Sequence, residues 1–274
     1  MRVPSTDGVE LEVHDLGGDG PPLLLVHATG FHGRVWEPLA AHLDGFHRWS
    51  IDMRAHGDST APVGRALEWE GFADDVLAVV DHLGLDHPYA VGHSKGGAAL
   101  VLAEERRPGT FRALFVYEPV IMTPEWAIGV APDNPLSVGA RRRRSTFAST
   151  EEAIANYAAK PPFDTLDPAA LARYVEHGFR PMPDGIELKL APELEAEVYA
   201  HGSAHQAFAS LDLVRCPVTV ATGIGTAVPA VFARPIADAL PDGTLIEFDD
   251  LGHFGPLEDP TRLAASVRAA FTRA

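Results

Sequence analysis

The stretch Val91-Gly92-His93-Ser94-Lys95-Gly96-Gly97 constrains this chain more than any other. Ahead of it, Pro88 to Val91 is a short apolar run fit for a buried strand. Behind it, Ala98-Ala99-Leu100-Val101-Leu102-Ala103 is a run of helix formers with no breaker before Pro108. A strand that turns at once into a helix, with serine at the apex, is a nucleophile elbow. The backbone at such a serine is strained, and the strain lifts the hydroxyl clear of the sheet. Gly92 and Gly96 fit that turn because Cβ atoms there would collide across it. The N–H of Lys95, at the start of the helix, then aims at an oxyanion developing on a substrate. A Gly-x-Ser-x-Gly pentapeptide alone occurs by chance, and a serine before a helix also serves as a plain cap. The flanking strand and helix favour catalysis.

The rest of the chain supplies the layers that such a turn needs. Val9 to Val13 alternates as a half-exposed strand, and Leu23 to Val26 is a continuous apolar run suited to a parallel strand covered on both faces. Arg34 to Leu43 reads as a short helix and His47 to Asp52 as a strand. From Glu68, apolar residues recur at helical spacing (Trp69, Phe72, Val76, Val79, Val80, Leu83) until Gly84 closes the helix. Phe111 to Tyr117 is a further buried strand. After Pro119 the alternation of strand and helix stops. Helical pieces at Glu151 to Ala159, Pro168 to His177 and Pro192 to Ala200 are separated by proline-rich breaks. The run Arg141-Arg142-Arg143-Arg144 lies here and reads as a solvated helix face or turn. Alternation resumes with Cys216 to Ala221 as a strand, Val228 to Leu240 as a helix, Gly243 to Phe248 as a strand and Pro260 to Arg273 as a last helix. The expected organisation is a parallel α/β core at 1–119 and 214–274, interrupted by a helical insertion at 120–213.

Charge and cysteine use narrow the setting. A formal net charge of −16 disfavours nucleic acid and anionic membranes as partners, because their phosphates repel such a surface. The single cysteine, Cys216, sits in an apolar run and reads as a buried thiol. No disulfide can form within the chain, which fits a reducing compartment. No basic-then-apolar leader is visible near Met1, and no run reaches membrane-spanning length. The expectation is a cytoplasmic protein acting on a small molecule, with no nucleic-acid or membrane partner. Homo-oligomerisation is left open. The histidines show no ligand spacing with carboxylates or cysteines, and no dinucleotide fingerprint appears, so neither metal nor cofactor is expected.

Four motifs in order make the chain resemble the α/β-hydrolase superfamily over nearly its full length. They are His27-Ala28-Thr29-Gly30, Asp52-Met53-Arg54-Ala55-His56-Gly57-Asp58-Ser59, the elbow at Gly92 to Gly97, and Gly252-His253-Phe254 with Glu258 and Pro260 behind it. The resemblance implies an eight-stranded, mostly parallel sheet flanked by helices, with the insertion after the sixth strand as a helical cap. It implies Ser94 as nucleophile and His253 as base. It places the second oxyanion donor at the N–H of Thr29, beside that of Lys95, although Ala28 stands where glycine is usual. The chemistry asks for the same types, since a serine hydroxyl needs a base and imidazole titrates in the right range. His27 and His93 flank the site and read as hydrogen-bonded scaffold groups.

The acid of the triad departs from the usual pattern. Most of the family carry an aspartate three residues after the glycine ending the seventh strand, and here Thr226 occupies that place. An imidazole base needs an acceptor on its far nitrogen to fix its tautomer. Glu118, at the end of the sixth strand, is therefore the expected acid, a position that some relatives use. A carboxylate there is also common as a structural group, and Asp249 and Asp250 are the fallback.

Serine attack means acyl transfer, which disfavours the epoxide-hydrolase and haloalkane-dehalogenase chemistry that uses aspartate. The expected enzyme is a cofactor-free serine hydrolase of the esterase or lactonase type, acting through an acyl-enzyme on a small to medium apolar substrate. Perhydrolases and C–C bond hydrolases share these residues. A ligand-binding protein of the same fold without turnover is the alternative from a different class. Phe31, Trp36, Trp126 and Phe147 are candidate pocket residues, with core packing the preferred reading of each. Lys95 has a side chain expected to reach solvent, with a substrate carboxylate as the other option.

Overall fold

The computed structural model describes residues 1–223 and 228–273, so Thr226 lies outside the described residues. The first half of the chain lays down β1 (Arg2–Pro4), β2 (Glu10–Asp15), β3 (Pro22–Val26), α1 (Glu37–Ala40), β4 (His47–Asp52), α2 (Trp69–Leu83), β5 (Tyr89–His93), α3 (Lys95–Arg106) and β6 (Ala113–Tyr117). An insertion follows, with α4 (Pro135–Arg142), β7 (Thr146–Phe147), α5 (Thr150–Ala158), α6 (Pro168–Gly178), β8 (Phe179–Met182), β9 (Gly185–Leu188) and α7 (Pro192–Ala200). The core resumes with β10 (Val218–Gly223), α8 (Ala230–Ala239), β11 (Gly243–Phe248), α9 (Gly255–Glu258) and α10 (Pro260–Thr272).

Eight of these strands form one sheet in the order β1-β2-β4-β3-β5-β6-β10-β11, parallel from β4 onward and antiparallel where β2 meets β1 and β4. Its inner strands are apolar runs because both faces are covered. Leu24, Val26, Leu114 and Val116 point into the layer of α2, α3 and α8, while Leu23, Leu25, Phe115 and Tyr117 point into that of α1 and α10. That alternation is the period-two geometry of a strand. From β3 the chain first steps outward to β4, then returns to place β5 on the other flank of β3. Such a reversal opens a crevice at the carboxyl ends of the strands, where open α/β sheets bind ligands. The register brings those ends level: Val26 pairs with Gly92, Gly92 with Val116, and Tyr117 with Ala221.

The insertion is more than helical. Its expected helices are present as α5, α6 and α7, each starting with proline or a capping side chain. Ser149 accepts from the Glu152 N–H, and Asp167 from those of Ala169 and Ala170. It also holds a small antiparallel sheet in the order β7-β9-β8, which the sequence reading did not anticipate. Strands of two to four residues carry no readable period. The same holds for β1 at the sheet edge.

Candidate active site

Four loops leave the carboxyl ends of β3, β5, β6 and β11 and converge. Ser94 stands between β5 and α3 at φ 55° and ψ −115°, a region that residues with a side chain seldom occupy. Its N–H donates to the Tyr117 carbonyl (2.9 Å) and its own carbonyl accepts from Ala98 (3.1 Å), so the apex is fixed from both sides. A Cβ at Gly96 would sit 2.2 Å from the Val26 carbonyl oxygen, and one at Gly92 would sit 2.7 Å from Gly97 backbone atoms. The turn therefore excludes side chains at both positions. Among the described residues, Ser94 Oγ has no hydrogen-bond partner.

Glu118 follows β6 at φ 42° and is fully buried. Its Oε2 lies 2.6 Å from His253 Nδ1, and its Oε1 accepts from Thr222 Oγ1 and the Gly223 N–H, each at 3.0 Å. The carboxylate thus reaches His253 with its other oxygen already held. His253 comes from the loop after β11, and its side chain is 25% exposed, so the ring is open to a reactant. The loop is pinned where it matters. His93 Nε2 donates to the His253 carbonyl (2.7 Å), Tyr117 Oη donates to that of Gly252 (2.7 Å), and Glu258 accepts from the Gly252 N–H (2.7 Å). Asp249 and Asp250, the fallback acids, instead face solvent and pair with Arg262.

His27 and His93 are buried and held neutral. Desolvation pushes each well below the usual imidazole range, with Lys95 adding to the effect at His27 and His253 at His93. His27 Nδ1 donates to the Ala28 carbonyl (2.7 Å) while its Nε2 accepts from the Met53 N–H (3.0 Å), locking the Ala28–Thr29 turn to the end of β4. Asp52 organises the next loop by accepting from His14 and from the N–H groups of Gly33 and Asp58. Burial opposes its charge, yet the His14 contact holds its pKa below the carboxylate range. Thr29 is buried beside the elbow, and neither its N–H nor that of Lys95 donates to a described residue.

Several side chains lie elsewhere than expected. The Lys95 side chain does not reach solvent. It is fully buried, with Nζ 3.4 Å from His56 Nε2 and 4.2 Å from the centre of the Phe72 ring. Of the pocket candidates, Phe31 alone meets the site, with its ring 5.5 Å from Phe254 and 5.2 Å from Tyr174. Trp36 is core on the α1 side, and Phe147 packs within the insertion against Tyr157 and Phe179. Trp126 is 55% exposed and lies edge-on to Phe232.

The arginine run also divides. Arg141 and Arg144 pair on the surface with Glu193 and Glu152, while Arg143 turns inward. Its Nη1 donates to Glu195 Oε2 (2.5 Å), and its Nη2 to Tyr157 Oη (3.1 Å) and Tyr174 Oη (2.5 Å). One signal was available for it. Ser137 and Ala140 are the buried face of α4, and Arg143 continues that face at the same spacing of three. Phe254 lies inside the Gly252-His253-Phe254 motif, which assigns it no role, and Thr222 sits at the end of β10, where nothing in the sequence marks its bond to Glu118.

These strand-end loops and the strained serine define an α/β enzyme site built on a nucleophile elbow. The chain belongs to the alpha/beta hydrolase fold family, whose model matches residues 21–260, and is by that membership a hydrolase. It is 27% identical over 270 residues to Lipase LipV of Mycobacterium tuberculosis, a match that covers 95% of this chain and 97% of that one. The crystal structure of E-2-(acetamidomethylene)succinate hydrolase superposes with a TM-score of 0.85 at 23% identity, covering 99% and 98% of the two chains. The enol-lactonase from Burkholderia xenovorans LB400 superposes at 0.74 with 21% identity, covering 99% of this chain and all of the other. Among the described residues no helix is long and apolar enough to cross a membrane.

Proposed function

We propose that the chain is a cofactor-free serine hydrolase that cleaves a carboxylic ester or lactone through an acyl-enzyme. The observation that carries this is the 2.6 Å contact between Glu118 and His253 beside a serine held at the apex of an elbow. Glu118 keeps the proton of His253 on Nδ1, leaving Nε2 to take the Ser94 proton. Ser94 Oγ attacks the acyl carbon, and the N–H groups of Thr29 and Lys95 receive the negative charge that moves to the carbonyl oxygen. His253 then gives its proton to the departing alkoxide, and water drawn through the same base hydrolyses the acyl-enzyme. Ser94 Oγ and His253 Nε2 close to hydrogen-bonding distance in the substrate complex, as catalytic contacts of unliganded sites commonly tighten on binding.

The insertion at 120–213 acts as a cap on the core at 1–119 and 214–274. It brings Phe163 and Tyr174 over Phe31 and Phe254, which supports an apolar lining. The full-length relative described as a lipase supports the ester class. Absence of paired cysteines supports a reducing, cytoplasmic setting.

Labelling by a fluorophosphonate tests the reading without the natural substrate. Rapid labelling at Ser94 that falls at least a hundredfold in Glu118→Gln is expected, because loss of the orienting acid costs serine enzymes more than that. Rapid labelling of both proteins would remove Glu118 as the acid. An unlabelled wild type, with no nitrophenol released from short acyl esters, would remove the hydrolase and favour a binding protein of this fold.

A further inference from the structure

Over the Thr29–Phe31 turn lies a polar cluster that the acyl-transfer chemistry does not use. Arg143 joins three other helices of the insertion through Glu195 on α7, Tyr157 on α5 and Tyr174 on α6. Glu195 and Tyr174 are buried, and Arg143 keeps only 15% of its side chain exposed. The cluster presses on the turn itself. A Cβ at Gly30, where φ is +85°, would stand 2.7 Å from Glu195 Oε1 and 3.8 Å from Arg143 Nη1. Tyr174 is also one ring, Phe31, away from Phe254 at the side of His253.

The hydrogen-bond inventory of the cluster is uneven. Both phenol oxygens accept from the guanidinium, so their own O–H groups point away from it, and neither donates to a described residue. Two donors are therefore unspent in a buried place, and buried donors are normally matched. Glu195 already balances the Arg143 charge. A ligand here should bring an acceptor and no net charge, because the Arg143 charge is already spent on Glu195 and a buried carboxylate would find no cation of its own in the cluster.

We propose that Tyr157 and Tyr174, held by Arg143 and Glu195, are specificity residues that bind a neutral carbonyl oxygen on the acyl part of the substrate. The acyl part is the one that stays on Ser94, next to the turn this cluster covers. The proposal rests on the hydrolase reading and names its substrate class: esters or lactones whose acyl group carries a second carbonyl a few bonds from the scissile one.

Three nitrophenyl esters of matched length test it: 4-oxopentanoate, pentanoate and the glutarate monoester. The wild type should favour the oxo ester over pentanoate about tenfold in kcat/KM, the worth of one well-made hydrogen bond. The glutarate monoester should gain nothing. In Tyr157→Phe and in Tyr174→Phe the oxo-to-plain ratio should fall toward one, a quantity that partial loss of folded protein leaves untouched. Calorimetry with the methyl esters and Ser94→Ala reads the same preference without turnover. Equal treatment of the oxo and plain esters by rate and by binding overturns the proposal, as does a ratio that survives both phenylalanine variants. A preference for the glutarate monoester overturns the neutral acceptor. Absence of all hydrolysis with the oxo preference retained in binding would instead sink the hydrolase reading and leave the cluster's role standing.

Discussion

The Lys95 side chain runs from the first turn of α3 into the layer of α2, where its only hydrogen-bond partner among the described residues is His56 Nε2. That imidazole donates its Nδ1 proton to the Arg54 carbonyl and so is poised to accept. Asp75, whose charge the amine feels, is occupied by three bonds from Arg54 and one from Ser5 Oγ. Burial with so little compensation pushes the Lys95 amine well below the lysine range. The unfolded chain, whose lysine titrates at about 10.4, then binds more protons than the folded one at pH values between the two constants. Stability gained from this site therefore rises with pH across that window. Urea denaturation from pH 7 to 10 should show the wild type gaining on Lys95→Met, by at most about 1.4 kcal/mol per pH unit. A gap that stays flat with pH would mean that the amine titrates alike in both states. Sequence could not show this, because lysine is almost never fully buried and nothing in the Gly-x-Ser-x-Gly spacing marks the exception. Arg143 was hidden for the same reason, since four arginines in a row read as a solvated face. The contact of Glu118 with His253 was legible only because Thr226 stands where the family usually has its aspartate.

At the level of strand ends and turns, legibility follows burial. Strand β3 is readable nearly to the residue because a parallel strand covered on both faces must be apolar along its length. The strands of the insertion are two to four residues long, too short to show a period of two. Two element-level substitutions probe what the turns demand. Gly96→Ala places a methyl 2.2 Å from the Val26 carbonyl oxygen, where only backbone could move. It should cost about 3 kcal/mol or more and abolish the proposed esterase activity, measured by denaturant midpoint and nitrophenol release. Near-normal stability would mean that β3 and β5 can separate at their ends. Thr222→Val at the end of β10 keeps the shape but removes one donor to Glu118 Oε1. The Gly223 N–H remains, so kcat should fall about tenfold with KM little changed. A raised KM with unchanged kcat would assign Thr222 to substrate binding instead.

Across the whole molecule, the charge balance and the polar cluster of the insertion lead to the same kind of substrate. Thirty-eight acidic residues against 22 basic ones leave a formal charge of −16, so the field around the crevice opposes an approaching anion. Inside, Arg143, set over the Thr29–Phe31 turn, is already balanced by Glu195. Neither the long-range field nor the near contact then offers a carboxylate any gain. Ionic strength separates the two contributions, because salt screens the distant charges and hardly affects a buried pair. Raising salt from about 0.01 M to 0.5 M shortens the Debye length from about 30 Å to a few ångströms. The kcat/KM for a carboxylate-bearing ester should rise severalfold over that range, while that of a neutral ester of equal length stays level. A carboxylate ester that instead loses activity with salt would reveal an unbalanced positive field at the crevice, and would mean that Arg143 is released from Glu195 when substrate binds.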